Sequence, residues 1–169
     1  DGGGRPVELF VENTLLKTIS HKALVNSENH FMRDGSTKEV PAGKIRRQFW
    51  AQALSGLDAS VAWIWGRKDH KHLIGGFAYR PQAMEEYIRT GMDLMRLMPK
   101  VLAIRENPAK VVLLYSRTSV LRDTAHPQAL HEIAEILLQA GIKFDIVTEQ
   151  MVSSGQVQES LPKSRILIV

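Results

Sequence analysis

Two hydrophobic periods alternate along this chain. From Val7 to Ser20 the apolar residues Leu9, Phe10, Leu16 and Ile19, with Val11 and Leu15 between them, fall at spacings of three and four. That spacing predicts an amphipathic helix opened by Pro6. Ser20-His21-Lys22 is a short break, and Ala23 to Glu28 reads as a strand running from small and apolar residues into polar ones. Residues 31–43 hold Asp34-Gly35, Pro41 and Gly43 without periodicity, and are expected to form a long loop. Lys44 to Leu57 returns to the helical period, with Ile45, Phe49, Ala53 and Leu57 on one face. Ala59 to Trp65 is the next strand, and alternation puts Trp63 and Trp65 on a shared face. A second polar loop, Gly66 to Arg80, precedes a helix from Pro81 to Met98. Its stripe of Met84, Ile88, Met92 and Met95 is expected to face the core, and Pro99 to end it.

The pattern restarts after a linker expected at 102–109. Val111 to Ser116 is apolar enough for a strand buried on both faces. A loop is expected from Arg117 to His126. Pro127 then opens a helix with Leu130, Ile133, Ala134, Leu137 and Leu138 inward, closed by Gly141. Phe144 to Thr148 is a strand, 152–161 an unassigned connection, and Arg165 to Val169 a third strand. Alternating helices and strands predict parallel α/β architecture throughout. In the first part the long polar loops follow strands and the short connections follow helices, as at the end of a (β/α)8 TIM barrel. The second part reads as the start of a flavodoxin-like, doubly wound sheet. The expected division is 1–104 and 105–169.

Composition narrows the classes. The chain has 169 residues, 44% of them hydrophobic, and no apolar run near the roughly 20 residues that span a bilayer. No membrane partner and no signal peptide are expected, which points to the cytoplasm. The chain starts at Asp1 and its last residues read as a bare strand, so it is expected to be a piece of something longer or a processed product. It contains no cysteine, which removes disulfides, thiolate catalysis and cysteine-bound metals. The formal charge is +4, and the densest basic cluster, Arg67, Lys68, His70, Lys71 and His72, is confined to one loop. Nucleic-acid binding would call for a basic stripe with a reading motif, and neither is present.

The candidate chemistry lies in Ala23-Leu24-Val25-Asn26-Ser27-Glu28-Asn29-His30. Buried polar groups are costly unless paired, so a core strand that runs into a cluster of amides, acid and imidazole is unusual. The alternative is a loop carboxylate held by Arg46 or Arg47. Other clusters compete more weakly. His70 and His72, with His21 and His30, supply a histidine pair but no third metal ligand by spacing. Asp123 and His126 with Ser116 or Ser119 have the types of a hydrolytic triad, but Tyr115-Ser116-Arg117 lacks the Gly-x-Ser-x-Gly elbow.

Three stretches taken together resemble a known family. They are Val25 to His30, then Gln48 to Gly56 leading into Ala59 to Trp65, then Val111 to Ser119 with the helix ending Ala140-Gly141-Ile142. In order they resemble glycoside hydrolase family 42, the β-galactosidase-like enzymes of clan A. In that family a catalytic barrel is followed by a flavodoxin-like domain related to class I glutamine amidotransferases, which helps build a trimer. The resemblance implies that Glu28 ends the seventh barrel strand as the catalytic nucleophile of a retaining glycosidase. It also implies a carbohydrate substrate, no cofactor and a homotrimer. Asn26, Asn29 and His30 would hydrogen-bond sugar hydroxyls or the Glu28 carboxylate, and Trp63 or Trp65 would line the sugar site. The partner acid belongs about 5–5.5 Å from a retaining nucleophile. The family carries it on the fourth strand, which has no counterpart here. A non-catalytic assembly module of a carbohydrate-active protein is the alternative.

Overall fold

The structure is a computed structural model and describes residues 6–32, 38–66, 76–123, 125–156 and 166–168. In chain order these form α1 (Pro6–Ser20), β1 (Val25–His30), α2 (Ala42–Ser55), β2 (Ala59–Trp63), a 3-10 turn (Phe77–Tyr79) and α3 (Pro81–Glu106). Then follow β3 (Val111–Tyr115), α4 (Arg117–Arg122), α5 (Ala125–Gln139), β4 (Phe144–Thr148), α6 (Glu149–Ser153) and β5 (Ile166–Ile168). All pairing is parallel, as the alternation predicts. β1 pairs with β2, and a separate sheet has the order β4-β3-β5. Among the described residues no helix is long and apolar enough to cross a membrane.

The apolar character of α1 on more than one side has a structural cause. Its Val7 and Val11 pack into one core with Val111, Leu113, Phe144 and Ile146 of the second sheet and Leu130, Ala134 and Leu137 of α5. Phe10 lies 5.7 Å from Phe144, ring to ring. The helix also packs along α2, where Asn13 Nδ2 donates to Ser55 Oγ at 3.0 Å. A core therefore joins residues on both sides of the expected division near residue 104. α5 closes at Gly141, whose φ of 67° is the left-handed turn that glycine adopts without strain.

α3 differs most from expectation. Pro99 does not end it; the helix runs on to Glu106 through most of the expected linker, 26 residues in all. Proline removes one helical hydrogen bond, but the flanking turns are held on both sides of it. Leu94 and Val101 pack against Ala53 of α2, with Met98 beside them. The carbonyls of Ile104 and Arg105 at the end of α3, and that of the following Asn107, are gathered by Lys143 Nζ, a cation where a helix C-terminus favours one. The methionine stripe is a second correction. Met84 packs against the core, but Ile88, Met92 and Met95 are exposed, Met95 at 78%. The buried face is Ala83, Glu86, Thr90, Leu94 and Val101. Two polar residues on that face hid it from the hydrophobic pattern. They are tolerated because Arg46 grips Glu86 with Nε at 2.7 Å and Nη2 at 3.0 Å, and Thr90 Oγ1 donates to it at 2.9 Å. These bonds, that from Arg46 above all, hold the Glu86 carboxyl below its ordinary range despite burial.

Other boundaries moved less. β1 starts two residues late and runs through His30, β2 ends two residues early at Trp63, and the expected loop 117–126 contains α4. α2 begins at Ala42 and stops at Ser55.

Asp58 ties the first unit together at its base. Its carboxylate accepts from Lys17 Nζ of α1 at 2.6 Å, from the Leu24 amide before β1 at 2.8 Å and from Arg105 Nη2 of α3 at 2.7 Å. Burial alone would raise its pKa, but these donors outweigh it and bring it from 3.8 to about 2. A depressed folded-state pKa stabilises the fold above the unfolded value and ceases to as pH falls through the folded one. Thermal unfolding across the acid range should therefore show wild-type stability dropping between pH 3.8 and about 2, and Asp58→Asn should flatten that part of the profile. An unchanged profile in the variant would remove Asp58 from this role.

Candidate active site

The carboxyl ends of β1 and β2 rest on an aromatic cluster. Phe31, directly after β1, is fully buried and lies 4.9 Å from Phe49, 5.7 Å from Phe77 and 5.6 Å from Tyr87. Phe77 and Tyr87 are 5.0 Å apart. The cluster joins the segments that leave the two strands to α2 and α3, so both strand ends start from a packed base. Burial among these rings raises the pKa of the Tyr87 hydroxyl.

Glu28 is exposed, near the end of β1, and among the described residues no side chain pairs with its carboxylate. The alternative pairing with Arg46 is not what the structure shows, since Arg46 holds Glu86. The Glu28 amide donates to Asn26 Oδ1 at 3.1 Å, so Asn26 shapes the local backbone. His30 and Trp63 align across the two strands, with ring centroids 5.8 Å apart and planes 33° from parallel. The indole Nε1 of Trp63 is buried and, among the described residues, has no hydrogen-bond partner. The Trp63–Ile64 peptide bond is cis.

Two of the expected site residues sit differently from expectation. Asn29 is 1% exposed and faces α2. Its Nδ2 donates to Gln52 Oε1 and Ser60 Oγ, each at 2.7 Å, and its Oδ1 accepts from Gln48 Nε2 and Gln52 Nε2, each at 2.9 Å. Both donors and both lone pairs of the amide are thus used within the protein, and none is left for a sugar. Trp65 lies beyond the end of β2, so strand alternation does not set its face. It is half exposed and lies over Phe77 and Tyr87, 6.4 Å from each. Gln48 and Gln52 were missed by the sequence reading. Their signal was a pair of amides four residues apart, on the same face of α2 as the buried Ile45.

No protein-family model matches the chain, and no curated protein matches it in sequence. Two solved enzymes share its fold. One is an apo exo-carrageenase of glycoside hydrolase family 42 from Bacteroides ovatus, with a TM-score of 0.72 over 94% of this chain at 18% identity. The other is a cold-adapted β-galactosidase from Rahnella sp. R3, with a TM-score of 0.61 over 85% of this chain at 15% identity. The match takes up 22% of the first and 24% of the second, so the chain spans about a quarter of their length or less. At these identities the likeness is one of fold.

The competing clusters resolve differently. Ser116, Ser119 and His126 do come together at the end of β3, joined by Glu149, which the sequence reading did not include. The imidazole Nε2 accepts from the Ser116 backbone amide at 3.1 Å, while the Ser116 hydroxyl donates to Glu149 at 2.7 Å. A nucleophilic serine needs the imidazole on its hydroxyl. Here the hydroxyl caps α4 by accepting from Ser119 N at 3.1 Å, and Asp123 accepts from the Ala125 amide at 2.9 Å. The bond from Ser116, chiefly, lowers the Glu149 pKa. The basic loop with His70 and His72 lies outside the described residues, and among those described no three acidic or histidine side chains could hold a metal. A cavity of about 620 Å³ lies between α1, α3 and β4, lined by Phe10, Leu102 and Phe144. It also touches Lys17, Asp58 and Arg105, which are already paired, and it lies at the opposite end of β1 and β2 from Glu28.

One close approach holds the end of β2 in place. The Phe77 amide donates to Ile64 O at 3.0 Å and the Ala78 amide to Trp65 O at 2.8 Å. A Cβ on Gly76 would stand 2.5 Å from Trp65 O and 2.6 Å from Ile64 O. Both neighbours are backbone and have little room to give. Gly76→Ala should destabilise by about 1–3 kcal/mol, seen as a lower Tm and a changed near-UV signal from the adjacent tryptophans.

Proposed function

We propose that this chain is part of a retaining glycoside hydrolase of the β-galactosidase type, in which Glu28 is the nucleophile. On this reading residues 1–104 belong to the last part of a (β/α)8 barrel and residues 105–169 to the start of a flavodoxin-like domain that contributes to a trimer. The observation that carries the proposal is the face of the β1–β2 sheet that no described residue covers. Parallel sheets are normally covered on both faces. Here α2 covers one face, while on the other Val25 and Val61 are 57% and 58% exposed. An unfinished barrel leaves that inner face open. Glu28 and the His30–Trp63 pair lie at its carboxyl end, where barrel enzymes carry their active sites. The likeness in fold to a β-galactosidase and an exo-carrageenase supports the same reading.

The chemistry divides between Glu28 and groups beyond this chain. An oxygen of the Glu28 carboxylate attacks the anomeric carbon as the bond to the leaving oxygen breaks. A second carboxylic acid, outside this segment, protonates that oxygen and later activates the water that releases the sugar. Trp63 offers an indole face to the sugar ring. His30, stacked on Trp63, borders the same face, and Asn26 shapes the backbone that carries Glu28. The cleft excludes water only when the other strands close it.

In the full-length enzyme, Glu28→Ala should lower kcat by several orders of magnitude. Added azide should restore turnover by attacking the vacated face, giving a glycosyl azide of inverted anomeric configuration. A rescued product of retained configuration would make Glu28 the acid/base, and unchanged turnover would remove it from catalysis. The 169-residue chain by itself should not hydrolyse an aryl galactoside, because two strands close no barrel. Turnover by that chain, lost in Glu28→Gln, would show that the barrel is not needed.

A further inference from the structure

Glu28 does not sit in a regular strand. Asn26 aligns with Ser60 and Asn29 with Ala62, so three steps along β1 match two along β2. β1 carries one extra residue in the Ser27–Glu28 segment, which is a β-bulge. In a regular strand, residues 26 and 29 would point to opposite faces. Here both align with residues that share a face. The bulge therefore turns Asn29 toward α2 and leaves its neighbour Glu28 on the open face.

Each flank of the bulge is tied. Before it, Asn26 Oδ1 accepts from the Glu28 amide. After it, Asn29 is locked into a cyclic amide pair with Gln52, a third bond from Gln48 and a fourth to Ser60. Gln48 Nε2 also donates to the His30 carbonyl at 3.0 Å, fixing the residue beyond. An extra residue in a strand is a soft point, since a one-residue slip turns every following side chain to the other face. A saturated, buried amide cluster accepts Asn29 in one orientation only. Any slip would strand buried amide groups without partners, at about 1–3 kcal/mol each.

We infer that Asn29, Gln48 and Gln52 form a positioning device that aims the Glu28 carboxylate from behind the sheet. The inference rests on the reading of Glu28 as nucleophile. None of the three amides touches substrate; they act through the backbone of the bulge. Small misplacements of a reacting group are costly, with 1 Å worth about 100-fold in rate.

The test uses the full-length enzyme and 2-deoxy-2-fluoro-β-D-galactosyl fluoride. In wild type a Glu28 oxygen displaces fluoride from C1, and the trapped glycosyl ester is found on Glu28 by peptide mass spectrometry. The variant is Gln52→Met, of similar size but without the amide. Every site should still be labelled to full stoichiometry, with the limiting rate constant about 10–100-fold lower and the concentration for half-maximal labelling unchanged. A device that only supports folding would lower the labelled fraction and leave the rate constant per labelled site intact, which would overturn the inference. So would labelling at the wild-type rate with Glu28 still modified, and in that case the nucleophile assignment stands. If wild type carries no label on Glu28, both fall together. Should Gln52→Met not fold, Ser60→Ala removes one acceptor from Asn29 and should slow labelling by a smaller factor, with an unchanged rate again counting against the device.

Discussion

The burial of α1 on two sides is the constraint on which the arrangement depends. Val7 and Val11 complete the core beneath β3 and β4, while Asn13 and its neighbours meet α2. The second sheet is not covered by its own segment alone. Parallel strands cannot leave a face in water without exposing a run of branched apolar residues, so the second sheet takes a helix from the start of the chain. Asp58, Arg105 and Lys143 reinforce the same seam from the other side. They join the ends of α1 and α3 to the starts of β1, β2 and β4.

The candidate site has a different architecture from the seam. Its base is apolar and aromatic, built on Phe31, Phe49, Phe77 and Tyr87. Its side toward α2 is polar and closed, with the amides of Asn29, Gln48 and Gln52 satisfied by one another. Its remaining face is open and carries Glu28. A buried polar network that satisfies every member adds specificity of arrangement more than raw stability. That suits a position where one carboxylate has to point in one direction.

The exposed apolar residues belong to the same picture. Val25 and Val61 lie on the uncovered sheet face, and Ile88, Met92 and Met95 on the outer side of α3. Parallel strands pair on both edges when a barrel closes, and each barrel helix packs on its neighbours. The proposal of an unfinished barrel accounts for both patches by one cause.

The sequence by itself determined the order and type of most elements, because hydrophobic period is a local property. It also determined that an acid, an imidazole and an indole stand near the ends of two adjacent parallel strands, since alternation places residues on faces. It did not determine the bulge. One extra residue reverses the parity of everything after it, and only pairing against β2 reveals that; Asn29 was expected beside a sugar from its residue type and the family resemblance, and it lies among amides. It did not determine the buried face of α3 either, where Glu86 and Thr90 read as surface until Arg46 is seen to pair with Glu86, and Thr90 to donate to the same carboxylate. Pro99 read as a stop, because the packing and the Lys143 contacts that keep α3 helical lie elsewhere in the chain. Tertiary structure decided each of these for one reason: whether a polar or helix-breaking residue is tolerated depends on partners that are distant in sequence.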